Sequence, residues 1–256
     1  MQPTEQTAPP PPAPRPQPSL AATLRRFPAT FGLIGFTALV FLGQYLSQQL
    51  LNGSDLVIYY GAKDNAAIAS GELWRLLTPV FIHANLLHIF VNMYSLYAIG
   101  PAVERYFGAA RFLAFYLLAG IAGVVLSLAM SPSPSVGASG AIFGLLGCLG
   151  IFLYQHRALF GRMGAAQLRQ IVFVALINLG LGLTPGIDNW GHVGGLIAGS
   201  ALAWFFGPRF EPNLMASPDQ PRVVDQRPWR QVWPGVLVAL ALIGLLALGA
   251  MQIAPR

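Results

Sequence analysis

The sequence predicts an all-α protein that crosses a membrane several times, and three observations point there. The 256 residues are 55% hydrophobic and 9% charged, with a mean hydropathy of +0.58, whereas soluble domains carry about 25% charged residues. Seven apolar runs alternate with short polar segments, and no strand-like alternation of useful length appears. Helices satisfy their own backbone groups in lipid, so apolar runs of this length read as helices. The Lys and Arg residues fall mostly into alternate loops, as expected when one set of loops is cytoplasmic.

A hydrocarbon core about 30 Å thick needs about 20 apolar helical residues. Phe31 to Leu51, Leu86 to Val103 and Phe112 to Met130 supply the first three runs. Ala141 to Tyr154 is a fourth, too short to span, so its helix is expected to begin inside the membrane. Leu168 to Leu183, Trp190 to Phe206 and Val232 to Ile253 complete the set. The loop from Asn52 to Asn85 is long and carries Leu73, Trp74, Leu76, Leu77 and Phe81, a composition suited to the membrane interface.

With a cytoplasmic N-terminus, one side holds Arg15, Arg25, Arg26, Arg105, Arg111, Arg157, Arg162, Arg169, Arg209, Arg222, Arg227 and Arg230. The other side holds Lys63, Arg75 and Arg256. The net charge of +6 therefore reads as basic cytoplasmic loops, not as a nucleic-acid face. A single cysteine, Cys148, excludes an intramolecular disulfide and argues against a cysteine-based metal site. It lies in an apolar run and reads as core packing. The first 27 residues are Pro-rich, lack the apolar stretch of a signal peptide, and read as a solvated tail.

Four intramembrane polar residues stand out: His88, Asn92, Ser139 and His192. Such groups are costly in lipid and usually functional. Counting back from the cytoplasmic ends of their runs, at about 1.5 Å per residue, puts His88, Ser139 and His192 all about 21–22 Å above that edge. That is one level, towards the outer face. The Ser131–Ala138 stretch, rich in Ser and Pro, should dip inward as irregular backbone, which is tolerated where protein or a water-filled cavity covers it. Ser139 then stands at a helix N-terminus, where free N–H groups favour a developing oxyanion. Gly140 and Gly144, and Gly191, Gly195 and Gly199, recur at i, i+4 and would let the fourth and sixth helices approach closely. A serine hydroxyl needs a neighbouring base to act as a nucleophile.

Taken singly, each residue has a plainer explanation. An intramembrane Ser commonly bonds back to its own helix, as expected for Ser127 and Ser200. A lone His can serve packing or a proton relay. Asp188, four residues before His192, is a poor triad acid, since the chain would have to fold back over the histidine. A transporter would place its polar site at mid-depth between inverted repeats. A metalloprotease would need a ligand pattern such as His-Glu-x-x-His, which is missing from the sequence.

The same residues resemble a known family. GASGAIFGLL (Gly137 to Leu146) is similar to the nucleophile motif of the rhomboid intramembrane proteases, and GHVGGL (Gly191 to Leu196) to their histidine motif. HANLLHIFVN (His83 to Asn92) resembles their second-helix motif, Trp74 and Arg75 their first-loop pair, and Glu104 and Arg105 the residues after that helix. The resemblance runs from about Phe31 to Gly207. It implies a six-helix core with a Ser-His dyad: Ser139 attacks, His192 takes its proton, and His88 and Asn92 support the oxyanion with the Ser139 backbone N–H. Phe143 falls where the family often has an aromatic packed on the histidine. An inactive, client-binding member would be expected to lack the serine or the histidine, and both are present.

The expected organisation is a tail (1–27), a six-helix core (28–207), a cytoplasmic linker (208–231) and an additional transmembrane helix (232–256). The expected activity is serine endopeptidase cleavage in or near transmembrane segments of membrane proteins. The expected partners are those substrates and the bilayer, with no nucleic acid, metal or cofactor. A bacterial inner membrane fits the short loops.

Overall fold

A computed structural model describes residues 19–213 and 223–255. Residues 1–18 of the Pro-rich tail lie outside the described residues, as do Arg222 and Arg256. The end of that tail is ordered as α1 (Leu20–Arg26), where the Ser19 side chain accepts the Ala22 N–H at 3.2 Å. The first span, α2 (Pro28–Leu50), begins with proline at its first turn, where a missing N–H costs nothing.

The long loop from Asn52 to Asn85 is folded, not loose. It contains α3 (Leu56–Gly61), α4 (Asn65–Ala69) and two 3₁₀ turns, Leu73–Leu76 and Thr78–Phe81. Asp55 and Asp64 cap the two helices through Ile58 N–H and Ala67 N–H. Arg75 is buried and fastens the loop by donating to the carbonyls of Tyr59 and Ala62 and to the Glu72 carboxylate. Trp74 donates to the Tyr60 carbonyl at 2.9 Å.

Four helices build the core. They are α5 (Leu86–Phe107), α6 (Ala109–Met130), α7 (Ser139–Gln155) and α9 (Asn189–Phe206). In α7 every residue from Ala141 to Leu149 is buried, which makes it the central helix and explains its apolar circumference. Glycine sets how near its neighbours come. A methyl group at Gly195 would overlap the Gly140 carbonyl oxygen, and one at Gly199 would overlap that of Gly144. One at Gly123 of α6 would lie 2.6 Å from the Gly191 oxygen. The Cys148 thiol sits in the same seam, 3.2 Å from the Gly199 carbonyl, as core packing requires. At the end of α5 next to the start of α2, the buried Glu104 carboxylate accepts from Ala29 N–H, Thr30 N–H and the Thr30 hydroxyl at 2.7–2.9 Å. It thereby caps α2 from α5.

Two further long helices pack on that core. In α8 (Arg157–Leu181) the backbone breaks at Gly161, and the helix leans mainly on α7. The last helix, α10 (Trp229–Ile253), packs against α6 and α9. The segment before it is more than a polar linker. Within it, β1 (Phe210–Pro212) pairs antiparallel with β2 (Val223–Asp225). Arg111 reaches Asp225 and the Arg227 carbonyl, and His156 Nε2 accepts the Phe210 N–H at 2.8 Å. At its other end, the Pro255 carbonyl accepts from Asn65 at 2.8 Å. The seventh helix is thus tied to the core at both ends. Among the described residues the fold is all-α apart from this strand pair, with five helices long and apolar enough to span by themselves.

Candidate active site

The Ser131–Ala138 segment leaves α6 and returns to start α7 at Ser139. Gly137 makes the sharp step: its φ is +130°, a conformation that favours glycine. Its N–H donates to the Pro79 carbonyl at 2.9 Å. Ser139 is the first residue of α7, so its hydroxyl stands among the unpaired N–H groups of that helix end.

His192 lies in the first turn of α9, whose N-cap is Asp188. The glycine seam brings the two helices together, and His192 Nε2 lies 2.9 Å from Ser139 Oγ. The ring of Phe143, one turn along α7 from Ser139, is stacked on the His192 imidazole. Asp188 spends its Oδ1 on the Gly191 N–H, at 3.1 Å. Among the described residues His192 Nδ1 has no partner, so no carboxylate orients this imidazole.

His88 approaches from α5. A methyl group built on Gly137 would lie 2.8 Å from His88 Nε2 and 3.7 Å from Ser139 Oγ, which places the imidazole beside the serine. Asn92 is buried one turn below, and its amide donates to the His88 carbonyl at 2.9 Å. An amide has two N–H groups, so one donor remains. A cavity of about 30 Å³ opens beside Ser139, lined also by Ser135, Gly137, Asp188 and Gly191. That is room for a water molecule with polar neighbours. Among the described residues no cluster of metal-ligating side chains occurs.

The sequence reading passed over two residues that hold this arrangement. The His83 ring is fully buried, and its Nε2 accepts the Ala138 N–H at 3.4 Å. Burial, helped by neighbouring His88, pushes its pKa down to about 4, so it is a neutral acceptor at ordinary pH. Gln44 of α2 clamps the His83 backbone, accepting from its N–H at 3.0 Å and donating to its carbonyl at 2.9 Å. His83 opens the HANLLHIFVN motif, and that position was its only signal. Gln44 gave one too, as an uncharged polar residue within an apolar run.

A family model described as the Rhomboid domain matches residues 70–209, more than half of the chain and all of the residues around Ser139. The chain belongs to the rhomboid family. It is similar to Rhomboid protease GluP of Bacillus subtilis, at 43% identity over 192 residues, 73% of this chain and 37% of that protein. RHOMBOID-like protein 1 of Arabidopsis thaliana is 35% identical over 190 residues, 71% of this chain and 49% of the plant protein. RHOMBOID-like protein 4 of the same plant is 33% identical over 215 residues, 81% and 54% of the two chains. This rhomboid therefore spans 37–54% of the length of these relatives. Its apolar helices and its family make it an integral membrane protein.

Proposed function

We propose that this rhomboid is an intramembrane serine endopeptidase that cuts other membrane proteins in or near their transmembrane segments. The observation that carries this is the 2.9 Å approach of His192 Nε2 to Ser139 Oγ inside a helical membrane core. For the chemistry, Nε2 must be the unprotonated nitrogen and Nδ1 must bear the hydrogen. The Ser139 oxygen attacks the scissile carbonyl while Nε2 takes its proton. The same nitrogen then returns that proton to the leaving amine, and water resolves the acyl-enzyme. The Ser139 backbone N–H, His88 and the second N–H of Asn92 are the donors that would stabilise the oxyanion. The other N–H of Asn92 is held by the His88 carbonyl. The dyad dispenses with an acid, in keeping with the engagement of Asp188 as a helix cap.

A substrate helix must unwind to present a peptide bond, since helical amides are shielded by their own hydrogen bonds. Residues 28–207 would be the catalytic core, and residues 232–256 an appended span. The Arg distribution supports a cytoplasmic N-terminus and, with the short loops, a bacterial inner membrane.

The test is cleavage of a tagged single-span reporter protein in liposomes by wild type, Ser139→Ala and His192→Ala. Cleavage by wild type alone is expected. Mutants that cut like wild type would remove both residues from the mechanism.

A further inference from the structure

Lys63, one of three basic residues on the outer side, is fully buried. It follows α3 in the outer loop, outside the spanning helices. An ammonium has three N–H donors, and the Nζ of Lys63 lies within hydrogen-bond distance of three carbonyls: Ser127 at 3.3 Å, Ser131 at 2.7 Å and Ser133 at 2.9 Å. Ser127 is in the last turn of α6, where unpaired carbonyls and the helix dipole favour a cation. Ser131 and Ser133 open the segment that leads to Ser139. The Lys63 backbone holds the same segment further on. Its N–H donates to the Ser135 carbonyl at 3.0 Å, and its carbonyl accepts the Ser135 N–H at 3.3 Å. Neighbouring Asn65 adds a bond to the Ser131 carbonyl at 3.1 Å.

Burial pushes the Lys63 ammonium below its ordinary pKa, and the charges of Asp188 and Asp64 pull it back up. Among the described residues it makes no ion pair with a carboxylate. Its partners are carbonyl groups; the Ser127 carbonyl also accepts the Ser131 N–H and the Ser131 carbonyl also accepts from Asn65, so a neutral apolar side chain would break all three bonds and take from the Ser133 carbonyl its one protein donor among the described residues. Beyond Ser135 only four residues remain to Ser139. Three of these four are pinned in turn: Gly137 by Pro79, Ala138 by His83, and Ser139 by His192.

We infer that Lys63 is a positioning residue for the proposed peptidase reaction, its ammonium fixing the end of α6 to the Ser131–Ala138 segment and so setting where the Ser139 hydroxyl and backbone N–H stand against His192 and His88. This rests on Ser139 being the nucleophile. A displacement of about 1 Å at reacting atoms can cost about a hundredfold in rate, so losing the side-chain anchor at Ser133, on the segment that leads to Ser139, should appear in turnover.

The experiment compares wild type, Ser139→Ala, Lys63→Met, Lys63→Gln and Thr30→Val, each as the full chain in liposomes. The readouts are the labelling rate by a small fluorophosphonate, the kcat and KM for the single-span reporter, and the thermal midpoint. Thr30→Val weakens the distant cytoplasmic cap of α2 and controls for stability alone. Lys63→Met should slow labelling and kcat by about 30-fold or more, with KM changed less than about threefold. Lys63→Gln, which keeps two donors, should recover part of the rate. Thr30→Val should label at the wild-type rate despite a lowered midpoint. Wild-type labelling of Lys63→Met would overturn the inference, as would equal slowing in Thr30→Val at an equal loss of midpoint. Should Lys63→Met fail to fold, the same comparison on Lys63→Gln decides. A wild type labelled no better than Ser139→Ala would overturn the nucleophile assignment itself, and this inference with it.

Discussion

The Phe143 ring lies nearly parallel to the His192 imidazole, with 4.5 Å between ring centroids and 14° between planes. Both rings are buried, one on α7 and one on α9. The contact spans the helix seam at the level of Ser139 and fixes the plane in which Nε2 faces the hydroxyl. Phenylalanine brings no hydroxyl, so this support is by stacking alone.

Phe143→Leu keeps the site apolar and removes the stacked face. Aromatic stacking is worth about 0.5–1.5 kcal/mol, which corresponds to a fall in kcat of up to about tenfold. KM for the reporter should move little. Steady-state kinetics in liposomes check this, and an unchanged kcat would mean that the seam alone orients His192.

Asp188→Asn should leave turnover within about threefold of wild type, because asparagine caps a helix as well as aspartate does. Asp188→Ala should lower the thermal midpoint by removing the acceptor for the Gly191 N–H, a loss of about 1 kcal/mol. A loss of about 10⁴ in kcat for Asp188→Asn, the size seen when a triad acid is neutralised, would make Asp188 an acid partner after all.

Gly195→Ala should abolish measurable cleavage. The added methyl overlaps the Gly140 carbonyl oxygen, so α7 and α9 must separate and the Ser139–His192 bond must lengthen. Overpacking of this kind costs about 1–3 kcal/mol, so the midpoint should fall as well. Gly244→Ala, on α10 with open space around it, should change neither readout.

The pH dependence of stability should carry the signature of His83. Its folded pKa of about 4 lies below its ordinary value of 6.5. The unfolded chain therefore binds more protons than the folded one between those limits. The stability contributed by neutral His83 is complete above pH 6.5 and is lost as pH falls towards 4. Thermal unfolding in detergent across that window should show a falling midpoint for wild type. His83→Gln, which cannot be protonated, should show a shallower fall.

Much of the arrangement was legible in the chain because it depends on one-dimensional properties. Phe31 to Leu51 and five of the six later runs matched helices to within a few residues, since hydropathy and length decide what can lie in lipid, whereas Leu168 to Leu183 caught only the later part of α8. The short run after Ser139 implied a helix beginning inside the membrane, and Ser139 is its first residue. The i, i+4 glycines implied close helix packing, and the carbonyl contacts at Gly195 and Gly199 are that packing.

Other features had no such signal. Lys63 counted only as an outer charge, Gln44 was one polar residue in an apolar span, and the segment from 208 to 231 read as a plain linker. In the folded chain Lys63 meets three carbonyls, Gln44 grips His83, and Phe210–Pro212 pairs with Val223–Asp225. Asn92 gives one N–H to its own helix, a choice that spacing could not express. Hydropathy and spacing, which belong to the chain alone, determined that this protein is a helical membrane protein and pointed to a serine and two histidines at one level. Which donor faces which acceptor was decided by tertiary structure, because the role of a buried polar group is set by the atoms brought opposite it from distant parts of the chain.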